Sequence, residues 1–244
     1  MMRAIAAFGR HDLRTIRRDS LMIVVLVGPF LYAAAMWLVP ALTDFAATRW
    51  DFDLVPYYSL IITPFPILGP PLLLGALLGF QLLDDKDQNT LTALRVTPVP
   101  PAVYPAYRAV STIVLTTVTV VAALALTGLA SAEVVAKSAA VGLVGGLVAV
   151  ICGLLMAAFP RNKVEGIAIM RVIGLVMAVP PLLPFFFLDS PWQLAFGIIP
   201  PYWPARAFWS AMDGGAFWPY ILGGLAYNSA LALVLLRVLG RRFG

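Results

Sequence analysis

Charge and titratable catalytic groups are what this chain has least of. Only 12% of its 244 residues are Asp, Glu, Lys or Arg, and it holds one histidine and one cysteine. Average soluble domains are nearer ~25% charged, so an ordinary water-facing surface cannot be assembled from this composition. His11 sits among arginines with no second His or Cys to complete a transition-metal cluster. The same isolation excludes a Ser-His-Asp triad. Cys152, single and inside an apolar run, excludes an internal disulfide. Neither GxxxxGKS nor GxxxxGKT occurs, so no P-loop cradles a nucleotide. The long uncharged runs contain no paired carboxylates for a proton or sodium relay. Asp189 and Asp213 fall at the edges of such runs, where ordinary solvation accounts for them.

What the chain has in abundance is apolar sequence. Hydrophobic residues make up 61%, and uncharged runs recur at 20–43, 54–83, 109–132, 138–160 and 214–236. A shorter run, 172–188, lengthens past Glu165 and Arg171. A helical crossing of a bilayer needs ~20 apolar residues. Backbone amides in lipid must be satisfied internally, and barrel strands need only ~10 alternating residues, so runs of this length mean helices. The expectation is an all-α polytopic membrane protein, one transmembrane domain over 1–244. Its six spans fall near 21–42, 58–83, 109–130, 138–159, 167–188 and 216–236. Arg3, Arg10, Arg14, Arg17 and Arg18 followed by an apolar run, with Ala33 to Ala35 beyond, mimic a cleavable signal. The apolar run nevertheless continues to Leu42, long enough for a complete span, so a retained first helix is expected.

The cations set an orientation. With the N-terminus inside, only Arg49, Lys137 and Arg206 of the 17 Lys and Arg residues fall outside. Cationic loops resist translocation, so both termini are expected in the cytoplasm. The net charge of +5 then reflects topology and membrane lipid rather than nucleic acid. Residues 3–20 read as a basic amphipathic helix lying in the interface, with Ile5, Phe8, Leu13 and Ile16 toward lipid. Thr43–Tyr57 reads as an outer loop, and Pro64, Pro66, Pro70 and Pro71 bend or break the outer half of the second span. Gly75-x-x-x-Gly79 and Gly142-x-x-x-Gly146 permit close helix approach, within one subunit or at a dimer seam. The segment before the last span is crowded with Trp, Tyr, Phe and Pro. It reads as two short helices, about 191–198 and 203–212, re-entrant or flat on the outer face, its aromatics at the membrane boundary.

One polar island interrupts this pattern. Asp84 to Arg108 reads DDKDQNTLTALRVTPVPPAVYPAYR and is expected to be a loop, 84–108, joining the second and third spans inside the cell. Leu91, Leu94 and Val96 give a short apolar ridge at helical spacing, with Asp85, Lys86 and Asp87 near its N-terminal end. Acidic groups there complement a helix dipole, and Pro98 stops the helix. A short helix with an apolar ridge and charged rim seats in a groove on a soluble partner; the bland alternative is a loop folded onto its own inner face.

The run from Asp84 to Pro98 resembles the loop after the second span in type 2 ATP-binding-cassette exporter permeases. That family shows charged residues, then Gly-Thr-Leu, then Leu and a Thr-Pro or Ser-Pro dipeptide. Here Asn89 stands in the glycine position, one of the few residues tolerant of a left-handed backbone. The acidic residues are Asp rather than Glu, with shorter reach. Pro200-Pro201-Tyr202-Trp203-Pro204 is similar to an outer segment of small actinobacterial permeases named for drug, including fluoroquinolone, export. The resemblance implies a permease subunit moving a hydrophobic or amphipathic small molecule outward, with no catalysis of its own. It implies a second permease subunit, identical or related, and a separate ATP-binding-cassette ATPase that carries ATP and Mg. It further implies that Asp84, Asp85, Lys86, Asp87, Asn89, Thr90, Leu91, Leu94, Thr97 and Pro98 contact that ATPase. A lipid or peptide exporter, or a non-transporting assembly or immunity factor, is the alternative; a membrane enzyme finds no acid–base or metal constellation to support it.

Overall fold

The computed structural model describes the backbone of residues 20–87, 103–160 and 163–243, and side chains within 23–85, 103–160 and 165–238. The expected amphipathic helix at 3–20 lies outside these side chains and almost wholly outside this backbone. Among the described residues the fold is all helical.

Six apolar helical stretches are long enough to cross a membrane. The first is built from α1 (Ser20–Ala35), a 3-10 turn at Met36–Leu38 and α2 (Val39–Trp50). It stays helical through most of the segment expected to be an outer loop. Pro40 enters α2 in its first turn, where no amide is needed, and Asp51, in a left-handed conformation, ends it. The second stretch runs through a 3-10 turn (Val55–Tyr57), α3 (Tyr58–Ile62), a π-helical segment (Thr63–Ile67) and α4 (Gly69–Asp87). Pro64 and Pro66 remove two amide donors, and Leu68 N–H instead reaches the Thr63 carbonyl at 2.9 Å, five residues back. The proline break expected from sequence is therefore a widened turn rather than a gap. Then come α5 (Val103–Thr127), α6 (Ala132–Ala158), α7 (Lys163–Ala178) extended by a 3-10 stretch (Pro180–Phe187), a second 3-10 stretch (Pro191–Ile198), α8 (Tyr202–Asp213) and α9 (Trp218–Phe243). Ser131 caps α6 by accepting from Val134 N–H, and left-handed Gly214 closes α8.

The centre is α6. Its most apolar window is 72% buried, against 17–22% for the first, fifth and sixth stretches. Glycines let neighbours touch its backbone. A methyl at Gly142 or Gly146 would lie 2.8 or 2.7 Å from the Cα of Thr117 or Ile113 on α5, closer than carbon atoms approach. One at Gly75 or Gly79 of α4 would meet Ala149 and Cys152, or Met156, of α6. Both spaced-glycine motifs thus pack helices together inside the subunit. Outside this three-helix core, Val24, Leu31, Trp37, Leu38, Val172, Leu175, Phe186, Leu222 and Leu233 are exposed. So much contiguous apolar surface is not carried by a monomer in water, and lipid or another subunit must cover it. The chain is a multi-pass membrane protein.

Candidate coupling site and outer cap

At one end of the core, the polar island begins and ends as helix. Asp84 to Asp87 belong to α4 and Val103 to Arg108 to α5, so both ends of the loop expected at 84–108 are helical, and 88–102 lie outside the described residues. Both helices continue because their polar residues find partners across the pair. Gln81 and Asp85 are four residues apart on α4, and Tyr104 and Arg108 are four apart on α5, so each pair shares a helix face. Tyr104 Oη donates to Asp85 Oδ2 at 2.7 Å. The same oxygen accepts from Arg108 Nε at 2.9 Å and Nη2 at 2.7 Å. Arg108 Nη1 donates to Gln81 Oε1 at 2.9 Å. One hydroxyl therefore uses its donor and both lone pairs, coupling an aspartate to a buried guanidinium that is 9% exposed. A buried charge is tolerable only when paired and hydrogen-bonded in this way.

Of the residues expected to meet an ATPase, Asp84 and Asp85 have described side chains; Asp85 is in the clamp, and both are half-buried. Lys86 and Asp87 are described by their helical backbone alone. Asn89, Thr90, Leu91, Leu94, Thr97 and Pro98 lie outside the described residues. Gln81, Tyr104 and Arg108 were not among the expected contacts. Their signal was nevertheless legible: polar residues at i, i+4 spacing on the two helix ends that flank an island.

The other end carries a cap formed by Pro191–Ile198 and α8. Helices were expected here, but its aromatics are not all boundary residues: Tyr202, Phe208 and Trp209 are fully buried. Their environment is the core of α6 and the π-helical segment, with which Phe208 and Trp209 form one apolar cluster. Trp209 Nε1 donates to Thr63 Oγ1 at 2.7 Å, and Thr63 donates to the Ser59 carbonyl at 2.6 Å. Trp203 lies against the glycine pair of α9, where a methyl at Gly223 would sit 2.4 Å from its ring. Trp203 Nε1 also donates to the Gly197 carbonyl at 2.9 Å, and Tyr227 Oη to that of Ile198 at 2.6 Å. Burial holds the Tyr202 hydroxyl protonated, its pKa pushed up to about 12. Trp192 and Trp218, by contrast, stay exposed, as boundary residues should.

A glycine-laced helical core in lipid, a polar island clamped at one end and an aromatic cap at the other define a multi-pass permease. The sequence profile for Rv2686c-like fluoroquinolones export permease proteins matches residues 12–236. Two curated relatives from Mycobacterium tuberculosis strains are each 46% identical over 96% of this chain and 93% of their own length. They are the fluoroquinolones export permease proteins MT2760 (strain CDC 1551 / Oshkosh) and Rv2686c (strain ATCC 25618 / H37Rv). The chain belongs to the Rv2686c-like export permease family. No solved structure matches it.

Proposed function

We propose that this permease is half of the membrane pore of an ATP-driven drug exporter in a bacterial plasma membrane. A second permease subunit, identical or related, and two copies of a separate ATP-binding-cassette ATPase complete it. The relatives are named for fluoroquinolone export, and an aromatic, amphipathic drug of that class is the cargo assigned here. Both termini and the island are cytoplasmic, and the cap is outside. ATP and Mg belong to the ATPase, and this chain contributes no catalysis.

The supporting observation is the four-residue clamp beneath the island. A force delivered by an ATPase to the Asp84–Pro98 segment reaches α4 and α5 together, because Arg108 holds Gln81 and Tyr104, and Tyr104 holds Asp85. A loop hung on two unlinked helices would bend instead. α4 then carries the displacement over its 19 residues, roughly 28 Å of helix, to the proline-widened turn that Trp209 ties to the cap. Inner push and outer opening are thereby connected along one element.

The test replaces Leu91 and Leu94 together with Asp and purifies the exporter. Charge in the docking ridge should cost several kcal/mol, so the ATPase is lost while the permease still inserts. Co-purification and ATP-dependent drug efflux at wild-type levels would remove the island as the coupling site.

A further inference from the structure

The cap holds a cation that forms no ion pair among the described residues. Arg206, on α8, is half-buried and reaches toward Pro191–Ile198 and the start of α9. Its Nε donates to Gln193 Oε1 at 2.8 Å and its Nη1 to Ser210 Oγ at 2.7 Å. Its Cζ stacks 4.5 Å from the Tyr220 ring centroid. All three partners are neutral, and Arg206 forms no ion pair among the described residues. Lys137, at the same end, makes the contrast: it sits 2.6 Å from Glu133. Asp213 is near enough to feel Arg206, which draws its carboxyl down against a larger upward push from burial, yet the two form no ion pair.

The partners also fix the direction in which the guanidinium is open. Gln193 is 7% exposed and cannot turn away, because its amide donates to the Leu188 carbonyl while its oxygen also receives Tyr202 Oη at 3.4 Å. With Nε and one Nη1 hydrogen used, the Nη2 group and the second Nη1 hydrogen have no protein acceptor among the described residues. Those hydrogens form the planar fork that matches a carboxylate bidentately. A guanidinium fixed by neutral groups, stacked on a ring and left with its fork unused, is built to receive an oxyanion from outside the subunit.

We infer that Arg206, positioned by Gln193, Ser210 and Tyr220, is an exit-side recognition site for the carboxylate of an amphipathic aromatic acid. The inference rests on the drug-export reading and deepens it, since fluoroquinolones are quinolone carboxylic acids with an aromatic body. Gln193 is a positioning residue, acting through the guanidinium. The same fork would accept a lipid phosphate, so the bilayer composition separates the two sources.

The experiment measures equilibrium binding of a fluoroquinolone and of its carboxyl methyl ester to the full chain. The bilayer is a phosphatidylcholine nanodisc, and the proteins are wild type, Arg206→Gln and Arg206→Lys. Wild type should prefer the acid by about tenfold, the scale of one charge-assisted bidentate contact. Arg206→Gln should erase that preference while leaving ester affinity unchanged, and Arg206→Lys should retain part of it, keeping charge without the fork. The acid-to-ester ratio within one sample does not depend on how much protein is folded. Equal loss of acid and ester in Arg206→Gln would make Arg206 a structural tie and overturn the site. So would an acid preference that survives the substitution, or one that phosphatidylglycerol in the nanodisc abolishes. A wild type that binds neither compound would overturn the drug reading together with the site.

Discussion

The two ends of this permease are held by opposite chemistry. At the island end, inner in the proposed orientation, two helices are joined by a charged network of an aspartate, a tyrosine hydroxyl and a buried guanidinium. At the outer end, a cap is joined to the spans mainly by ring surfaces, and its cation is left among neutral partners. Directional hydrogen bonds between two helices resist relative sliding, which suits a joint that transmits force. Packed rings against glycine tolerate small rotations without orphaning a charge, which suits a part that must move and close again. Under the proposed function, the difference fits transmission at Asp85, Tyr104 and Arg108, and opening at Trp203, Trp209 and their neighbours.

The sharpest way to break that comparison is at the outer end. Trp209 is fully buried, and Trp209→Ala removes its volume and orphans its bond to Thr63. Large-to-small changes of a buried aromatic cost about 3–5 kcal/mol. Thermal unfolding of the purified permease should drop markedly, and drug efflux should fall with it. A cap that tolerates the truncation with an unshifted melt would deny that ring packing holds it.

Arg108→Ala attacks the inner end. It removes the donor that Gln81 accepts from and the two bonds that Tyr104 Oη accepts, and breaking a buried charged network by removing one partner costs about 3–5 kcal/mol. Partial exposure of Asp85 places the expected loss at the lower edge, about 3 kcal/mol. The comparison makes a stronger demand than stability: ATPase binding should persist while its stimulation by drug disappears, because the island is still present but no longer drives both helices. Loss of binding in step with stability would make the clamp a mere fold determinant.

The spans were legible because a run of uncharged residues has one physical use at that length, and the proline cluster marked the widened turn at Thr63–Ile67. Other features were hidden by ambiguity in the pattern itself. Glycine at i, i+4 reads the same whether the partner helix belongs to this chain or another, and only the approach of Thr117 and Ile113 to Gly142 and Gly146 decided it. Aromatic crowding around 192–218 also reads as a boundary belt, since tryptophan serves both in lipid headgroups and in a core. Tyr202, Phe208 and Trp209 went inward, and Phe208 and Trp209 pack with Ile67 of the π-helical segment and Val141 and Val144 of α6. The helical ends of the island escaped notice because charge was taken to end a span, whereas here paired polar residues extend it. Arg206 was counted only as an outside cation, because nothing in sequence spacing shows that its partners are neutral.

Tyr104→Phe separates hydrogen bonding from packing at the clamp. The ring stays, but Asp85 loses its donor and Arg108 loses an acceptor for two of its nitrogens. Removing one hydroxyl from such a buried network costs about 1–3 kcal/mol, less than removing Arg108. Thermal unfolding should show this intermediate loss, and drug-stimulated ATP hydrolysis should fall more than basal hydrolysis. Equal falls in both would mean that the hydroxyl serves the fold and not transmission.

Thr63→Val gives the smallest and most discriminating effect. Valine preserves the shape of threonine but cannot accept from Trp209 Nε1 or donate to the Ser59 carbonyl. Trp209 remains packed by Phe185, whose ring centroid lies 5.3 Å away, so the ring should hold its place. Two side-chain hydrogen bonds are lost, but the Ser59 carbonyl keeps the Thr63 amide, so the cost is mainly that of a stranded indole donor, about 1–2 kcal/mol. If the outer end is held by ring surfaces, this change lowers the melting temperature by a few degrees and leaves the cap seated. With the exposed Trp37, Trp50, Trp192 and Trp218 replaced by phenylalanine, the remaining tryptophan emission should then stay blue-shifted. Transport should respond more than stability, because Thr63 is where the widened turn at the top of α4 meets the cap. A red-shifted emission would show that a single directional bond holds the cap, and the two ends of the molecule would be alike after all.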